Sequence, residues 1–245
     1  MKTTETFIGH LIELRNRLLY SFAALVIVFI CLLPWAADLY ALLAQPMLNK
    51  LPQGGQMIAI DVITPFFVPL KVAMMAAFVI SLPYILYQAW LFAAPGMLKD
   101  EKRMILPLIT VSYLLFLTGM AFAYFAVFPV VFGFITAAAP TGVAVMTDID
   151  KYLSFVMGMF IAFGATFEVP VVVVALAWSK VVSITQLREA RSYVIVGAFV
   201  LGAILTPPDI VSQFMLAVPL WILYEAGIVV VSWVIKDEVV ETMGE

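Results

Sequence analysis

The sequence predicts an all-α polytopic membrane protein with six transmembrane helices, and three observations carry that expectation. Of its 245 residues 64% are hydrophobic and only 12% charged, with a mean hydropathy of +1.10. A soluble domain of this length lies nearer half apolar and a quarter charged. Apolar runs long enough to cross a bilayer recur along the chain, broken by short charged or Pro/Gly-rich connections. Lys and Arg are also divided unevenly between alternate connections. Ten (Lys2, Arg15, Arg17, Lys99, Lys102, Arg103, Lys180, Arg188, Arg191 and Lys236) fall on the side of the termini, against three (Lys50, Lys71 and Lys151) on the other. The positive-inside rule then places both termini in the cytoplasm.

The first seventeen residues read as an amphipathic lead-in. Phe7, Leu11, Leu14 and Leu18 recur at helical spacing, and His10, Glu13 and Arg17 share the other face. A first helix is expected over about 18–37. It is too long for the apolar core of a cleavable signal, despite Ala36-Ala37-Asp38. Residues 38–69 read as a mixed outer loop with Pro46, Pro52, Gly54-Gly55, Pro65 and Pro69 and short amphipathic stretches. A second helix follows over about 70–94, interrupted by Pro83 and closed by Pro95-Gly96 and the charged turn Lys99–Arg103.

No charge occurs from Met104 to Thr147, and no turn signal before Pro140-Thr141-Gly142. One long third helix over about 104–135, kinked or broken near Pro129, accounts for this run. A fourth helix is expected over about 152–178. Then come two short apolar runs: a fifth helix over 192–205, ended by Thr206-Pro207-Pro208-Asp209, and a sixth over about 210–235 that meets Glu225 early. Fourteen residues rise roughly 21 Å against a hydrocarbon core of roughly 30 Å. Short spans imply local bilayer thinning or snorkelling flanks, with a re-entrant hairpin as the alternative. The whole chain reads as a single integral membrane domain without internal repeats.

Several function classes are excluded or unsupported. A net charge of −3 gives no footprint for nucleic acid. There is no G-x-x-x-x-G-K-[ST] loop and no H-E-x-x-H or paired-cysteine motif, and Cys31 has no partner in the chain for a disulfide. An enzyme is not expected, nor a cofactor or metal.

What remains is a set of carboxylates. Glu13, just before the first helix, reads locally as an i,i+4 partner of Arg17. Glu101 reads locally as part of a solvated charged turn. Together they place two anions on one membrane face, where carboxylates hold guanidinium groups selectively. Glu168 is the only charge between Tyr152 and Ser179, and an acid near a span's centre costs roughly 2.5–3.5 kcal/mol on insertion scales. It reads either as bundle glue paired with Gln88 or another polar side chain, or as a functional group. Pro170 denies the Thr166 carbonyl its usual donor, so irregular backbone is expected beside the acid. Asp209 reads as a helix N-cap, and Glu225 and Lys71 as snorkelling side chains.

The motifs His10-Leu11-Ile12-Glu13-Leu14-Arg15, Gln45-Pro46 and Trp90-Leu91-Phe92-Ala93-Ala94-Pro95-Gly96 resemble the TatC family. So do Gly119-Met120-Ala121-Phe122-Ala123-Tyr124-Phe125, Phe163-Gly164-Ala165-Thr166-Phe167-Glu168-Val169-Pro170 and Leu205-Thr206-Pro207-Pro208-Asp209, in the family's order across the chain. The resemblance, of the proteobacterial type, implies the multispanning receptor of the twin-arginine protein translocase. It implies a curved, glove-like bundle of six helices in the bacterial inner membrane, no cofactor, and the single-span partners TatB and TatA. Such a receptor binds twin-arginine signal peptides and moves folded proteins on the proton-motive force, homo-oligomeric within its complex. It further implies that Glu13 and Glu101 read the arginines, that Phe92 is the aromatic before the first cytoplasmic loop, and that Glu168 is the intramembrane acid. Pro46 and Asp209 match sensitive outer-loop positions. Asp100 beside Glu101 departs from the pattern and leaves two candidates for the second arginine ligand. A proton-coupled small-solute transporter built on Glu168 and a structural membrane scaffold are the competing readings.

Overall fold

Proline and charge, rather than hydrophobicity, set where this apolar chain bends. The computed structural model describes residues 2–49, 56–93, 105–137, 146–178, 181–205 and 210–242, with side chains described from residue 9 to 92, 106 to 178 and 181 to 233 within those ranges. The elements are α1 (Lys2–Leu32), a 3-10 turn (Leu33–Trp35), α2 (Ala36–Leu48), β1 (Met57–Ile58), α3 (Thr64–Ala93), α4 (Ile105–Phe122), a π turn (Ala123–Val127) and α5 (Phe128–Ala137). There follow β2 (Thr147–Asp148), α6 (Ile149–Phe167), α7 (Val169–Trp178), α8 (Ile184–Glu189), α9 (Arg191–Leu205) and α10 (Ile210–Thr242). The fold is α-helical, the two-residue strands being its only sheet among the described residues. Among the described residues five stretches are long and apolar enough to cross a membrane: Gly9–Leu48, Thr64–Phe92, Leu106–Ala137, Ile149–Trp178 and Ile210–Trp233; α9 is a shorter apolar helix.

Several boundaries differ from the sequence reading. The amphipathic lead-in is already helical, so α1 begins at Lys2 rather than near Leu18. It ends where Pro34 sits in the 3-10 turn, and α2 then occupies much of what reads as loop, with Asp38 in its first turn and Pro46 near its end. An acid at a helix start offsets the unsatisfied N–H groups there. α3 starts at Thr64, with Pro65 in a position where a missing N–H costs nothing. The sixth helix is not short: α10 runs for 33 residues, since the charge at Glu225 is matched by Arg191 and does not end it. Of the two helices expected to be short, α9, with 15 residues, is the one that is.

Two breaks follow the prolines as expected. Pro129 cannot donate to the Phe125 carbonyl, and directly before it the helix widens into the π turn, with the Phe128 N–H bonded to the Ala123 carbonyl. Pro170 likewise cannot serve Thr166, and the helix is interrupted at Glu168, whose N–H reaches the Ala165 carbonyl at 3.1 Å. The Thr166 hydroxyl turns back to the Ala162 carbonyl at 2.7 Å.

Contacts group the chain into two units. Unit 1 comprises Met1–Leu48, Gln56–Tyr113 and Met146–Leu153. Its central element is α3, packed by α1 and α2. Val68, Val72, Met75, Val79 and Leu82 alternate steps of four and three residues and are all buried, as are Ala73 and Ala77. Lipid tails are as apolar as Leu, so burial alone does not drive such helices together; small side chains that admit a neighbouring backbone do. β1 pairs in parallel with β2, Met57 opposite Thr147 and Ile58 opposite Asp148. The same region is tied by Tyr152, whose hydroxyl donates to the Leu43 carbonyl at 2.7 Å, and by Lys71–Asp150 at 2.6 Å.

Unit 2 comprises Asn49–Gly55, Leu114–Val145 and Ser154–Glu245. In it α4 and α6 meet closely. A Cβ on Gly119 would stand 2.5 Å from the Phe163 carbonyl oxygen, and one on Gly164 2.5 Å from the Phe116 ring. Phe122 lies between Phe163 and Phe167, at ring-centroid distances of 5.7 and 5.8 Å, and Phe128 is completely buried against Phe132, Phe155 and Phe160. α10 packs on α7 and α9, burying Val173, Ala177, Leu187, Tyr224, Ile228 and Val231. Ser183 opens α8 with a reciprocal capping box to Gln186.

Candidate functional site

The helical lead-in places Glu13 and Arg17 one turn apart, with the acid on the N-terminal side, the favourable order for such a pair. Arg17 does more than pair locally. Its Nη2 donates to Glu13 Oε1 at 3.1 Å and its Nη1 donates to Gln88 Oε1 at 3.1 Å, 71 residues away on α3. Gln88 is 5% exposed, whereas the Arg17 and Glu13 side chains keep 27% and 33% of their surface. A buried amide left without a partner costs about 1–3 kcal/mol, and the fork of the guanidinium removes that cost while also neutralising Glu13. One turn before Glu13, the His10 ring rests on Phe92 with centroids 4.6 Å apart. Phe92 in turn stands one turn beyond Gln88 on α3. His10, Glu13 and Arg17 of α1 thus meet Gln88 and Phe92 of α3 in one cluster within unit 1.

Chemically, this cluster presents a carboxylate and an amide oxygen to a planar cation. No nucleophile stands beside a base in it. Among the described residues no group of three or more His, Cys, Asp or Glu is placed to hold a metal ion.

The sequence offers three of these, Glu13, Gln88 and Phe92, as site residues, and His10 and Arg17 as companions of Glu13 on one helix face. Glu101 and Asp209 lie outside the described residues. Pro46 is buried inside α2, between Ala44 and Met47, which are 1% and 2% exposed. Glu168 sits at the break between α6 and α7, half-buried, and its carbonyl accepts from the Val172 N–H at 3.0 Å. Beside it in unit 2 lies a groove of about 360 Å³ whose walls include Gly158, Ala165, Thr166, Val169, Leu201 and Leu220. Gln88, offered by the sequence as a partner for Glu168, spends its carbonyl oxygen on Arg17.

Two charged residues read as snorkelling are instead paired. Lys71 holds Asp150, and Glu225 holds Arg191 at 2.7 Å. Tyr224, next to Glu225, donates to the Leu187 carbonyl at 2.7 Å. Asp148 accepts from the Asp150 N–H at 3.2 Å and so caps α6. Each ion pair joins opposite charges in separate helices, which offered the only signal in the sequence: unmatched charges at the ends of apolar runs.

Helices of this length and hydropathy define the class, a multi-span α-helical membrane protein. A family model described as Sec-independent protein translocase protein (TatC) matches residues 9–219. The TatC of Escherichia coli K12 is 52% identical over 228 residues, covering 93% of this chain and 88% of that protein. The TatC of Aquifex aeolicus is 38% identical over 221 residues, covering 89% and 91%. A crystal structure described as the twin-arginine translocase receptor TatC, in the detergent DDM, superposes with a TM-score of 0.80 at 37% identity, covering 90% of this chain and 98% of that one. The chain belongs to the TatC family of Sec-independent protein translocase proteins, whose members are translocase subunits and not enzymes.

Proposed function

We propose that this chain is the receptor and core subunit of a twin-arginine translocase in a bacterial inner membrane. It binds twin-arginine signal peptides at the cytoplasmic face and nucleates passage of folded proteins driven by the proton-motive force. Six spans with both termini in the cytoplasm satisfy the ten-to-three division of Lys and Arg. The observation that carries the reading is Glu13: a half-exposed carboxylate at the α1–α3 contact, already bonded to a guanidinium and adjoining the His10–Phe92 pair. In this reading Glu101 supplies the second anion and Phe92 packs against the peptide. Pro46 and Asp209 shape the outer segments, and single-span partners of the TatB and TatA type assemble on several copies of the chain. Glu168 and the groove beside it form an inner wall on which an inserted signal or partner helix packs.

The test is site-specific crosslinking of a twin-arginine signal peptide to the full chain in membranes. Glu13→Ala combined with Glu101→Ala is expected to abolish the crosslink, and the Lys replacements to do so more completely, because repulsion replaces a lost contact. An undiminished crosslink in the double Ala variant overturns the assignment. Normal partner assembly without any peptide crosslink in the unmodified chain marks a structural scaffold instead.

A further inference from the structure

Arg17 occupies the acceptors that an arriving arginine would need. Its two terminal nitrogens reach Glu13 Oε1 and Gln88 Oε1, each at 3.1 Å, so the cluster already shows the arrangement in which it holds a guanidinium. Each acceptor is held by a single bond, and the ion pair is partly exposed; such a pair is weakened by screening and by the entropy of its long side chains. If Arg17 left with nothing in its place, Glu13 would stand as an unmatched charge at the helix contact and the buried Gln88 amide would lose a donor. A second guanidinium restores both bonds. An ammonium does not, because its compact charge lacks the planar fork that spans two acceptors on different helices.

We propose that Arg17 is a resident occupant of the signal-peptide site, and that one arginine of the incoming pair binds by displacing it from Glu13 and Gln88. The inference rests on Glu13 being a signal-peptide ligand, as set out above, and adds Gln88 as its second acceptor. The exchange leaves the charge at the cluster unchanged. Arg17 therefore lowers the apparent affinity for every cation, but a lysine that displaces it recovers less than it disrupts. The resident side chain acts as a filter as well as a plug, and specificity for arginine follows from what must be replaced.

The experiment measures binding of a fluorescent peptide carrying Arg-Arg before an apolar stretch, and of its Lys-Lys counterpart, to the full chain in nanodiscs. Arg17→Gln removes the competitor and is expected to tighten Arg-Arg binding about five-fold, by raising the fraction of empty sites. It should also steepen the dependence on salt, since binding then adds an ion pair rather than exchanging one. Arg17→Lys, which holds one acceptor only, is expected to tighten it about two-fold. Gln88→Leu should narrow the preference for Arg-Arg over Lys-Lys. Unchanged or weaker Arg-Arg binding by Arg17→Lys overturns the exchange; if Arg17→Gln lowers the melting temperature, this milder variant decides. Glu13→Gln separates the two claims. If it binds the Arg-Arg peptide like the unmodified chain, the reading of Glu13 itself fails. If it loses binding while both Arg17 variants fail to tighten, only the exchange fails.

Discussion

In unit 1 the contact between α1 and α3 is bridged by long polar side chains, whereas in unit 2 the contact between α4 and α6 leaves no room for a methyl group. Arg17 reaches across to Gln88, while Gly119 and Gly164 bring backbone and ring into direct touch. Both are answers to the same problem, that in lipid an apolar surface gains little by leaving one apolar neighbour for another. The polar answer can be undone and remade with a different partner of the same chemistry. The close-packed answer cannot, because filling Gly119 moves the Phe163 backbone and filling Gly164 displaces the Phe116 ring. The exchangeable contacts stand at the proposed recognition cluster, and the rigid ones support the helices that carry the two proline breaks.

The comparison breaks most visibly at the glycines. Gly164→Leu is expected to cost about 1–3 kcal/mol by overpacking against Phe116, read as a lower thermal midpoint in detergent. Gly158→Ala on the same helix, with nothing within 4 Å of the added carbon, should be neutral or slightly stabilising. Equal losses from both would mean that close approach is not what holds α4 to α6. A smaller effect comes from the hydroxyls: Tyr152→Phe in unit 1 and Tyr224→Phe in unit 2 each remove one 2.7 Å bond to a carbonyl, worth about 1 kcal/mol in unfolding experiments. Smallest is the Lys71–Asp150 pair, with 46% and 34% of its side chains exposed. A double-mutant cycle should give a coupling of about 0.2–1 kcal/mol, shrinking as salt is added. A coupling insensitive to salt would place the pair in a drier setting than its exposure indicates.

What was legible in the sequence is what proline and periodicity decide locally. The interruption at Glu168 follows from Pro170 and the π turn from Pro129, and the fifth helix is as short as its apolar run. The α1 cluster was half legible: one helical face carries His10, Glu13 and Arg17, but nothing local points Arg17 at a glutamine 71 residues away. The pairs Lys71–Asp150 and Arg191–Glu225, 79 and 34 residues apart, were hidden for the same reason. Each charge taken alone looks as though it reaches for water. The helix α2 was missed because Pro46 and its neighbours argue for a loop. Near a helix end a missing donor is tolerated, and packing of Ala44 and Met47 outweighs the local preference.

The pairing of β1 with β2 sets an order of events during synthesis. Met57 and Thr147 are 90 residues apart and the intervening chain includes α3, α4 and α5. At roughly 5–20 residues per second, β1 leaves the ribosome on the order of 5–20 s before its partner exists. During that interval the backbone of Met57 and Ile58 has no strand to pair with, and a segment of only two residues is a poor template for another chain. The contact is therefore one of the last to form in unit 1, closing only after the chain between residues 58 and 147 has been made.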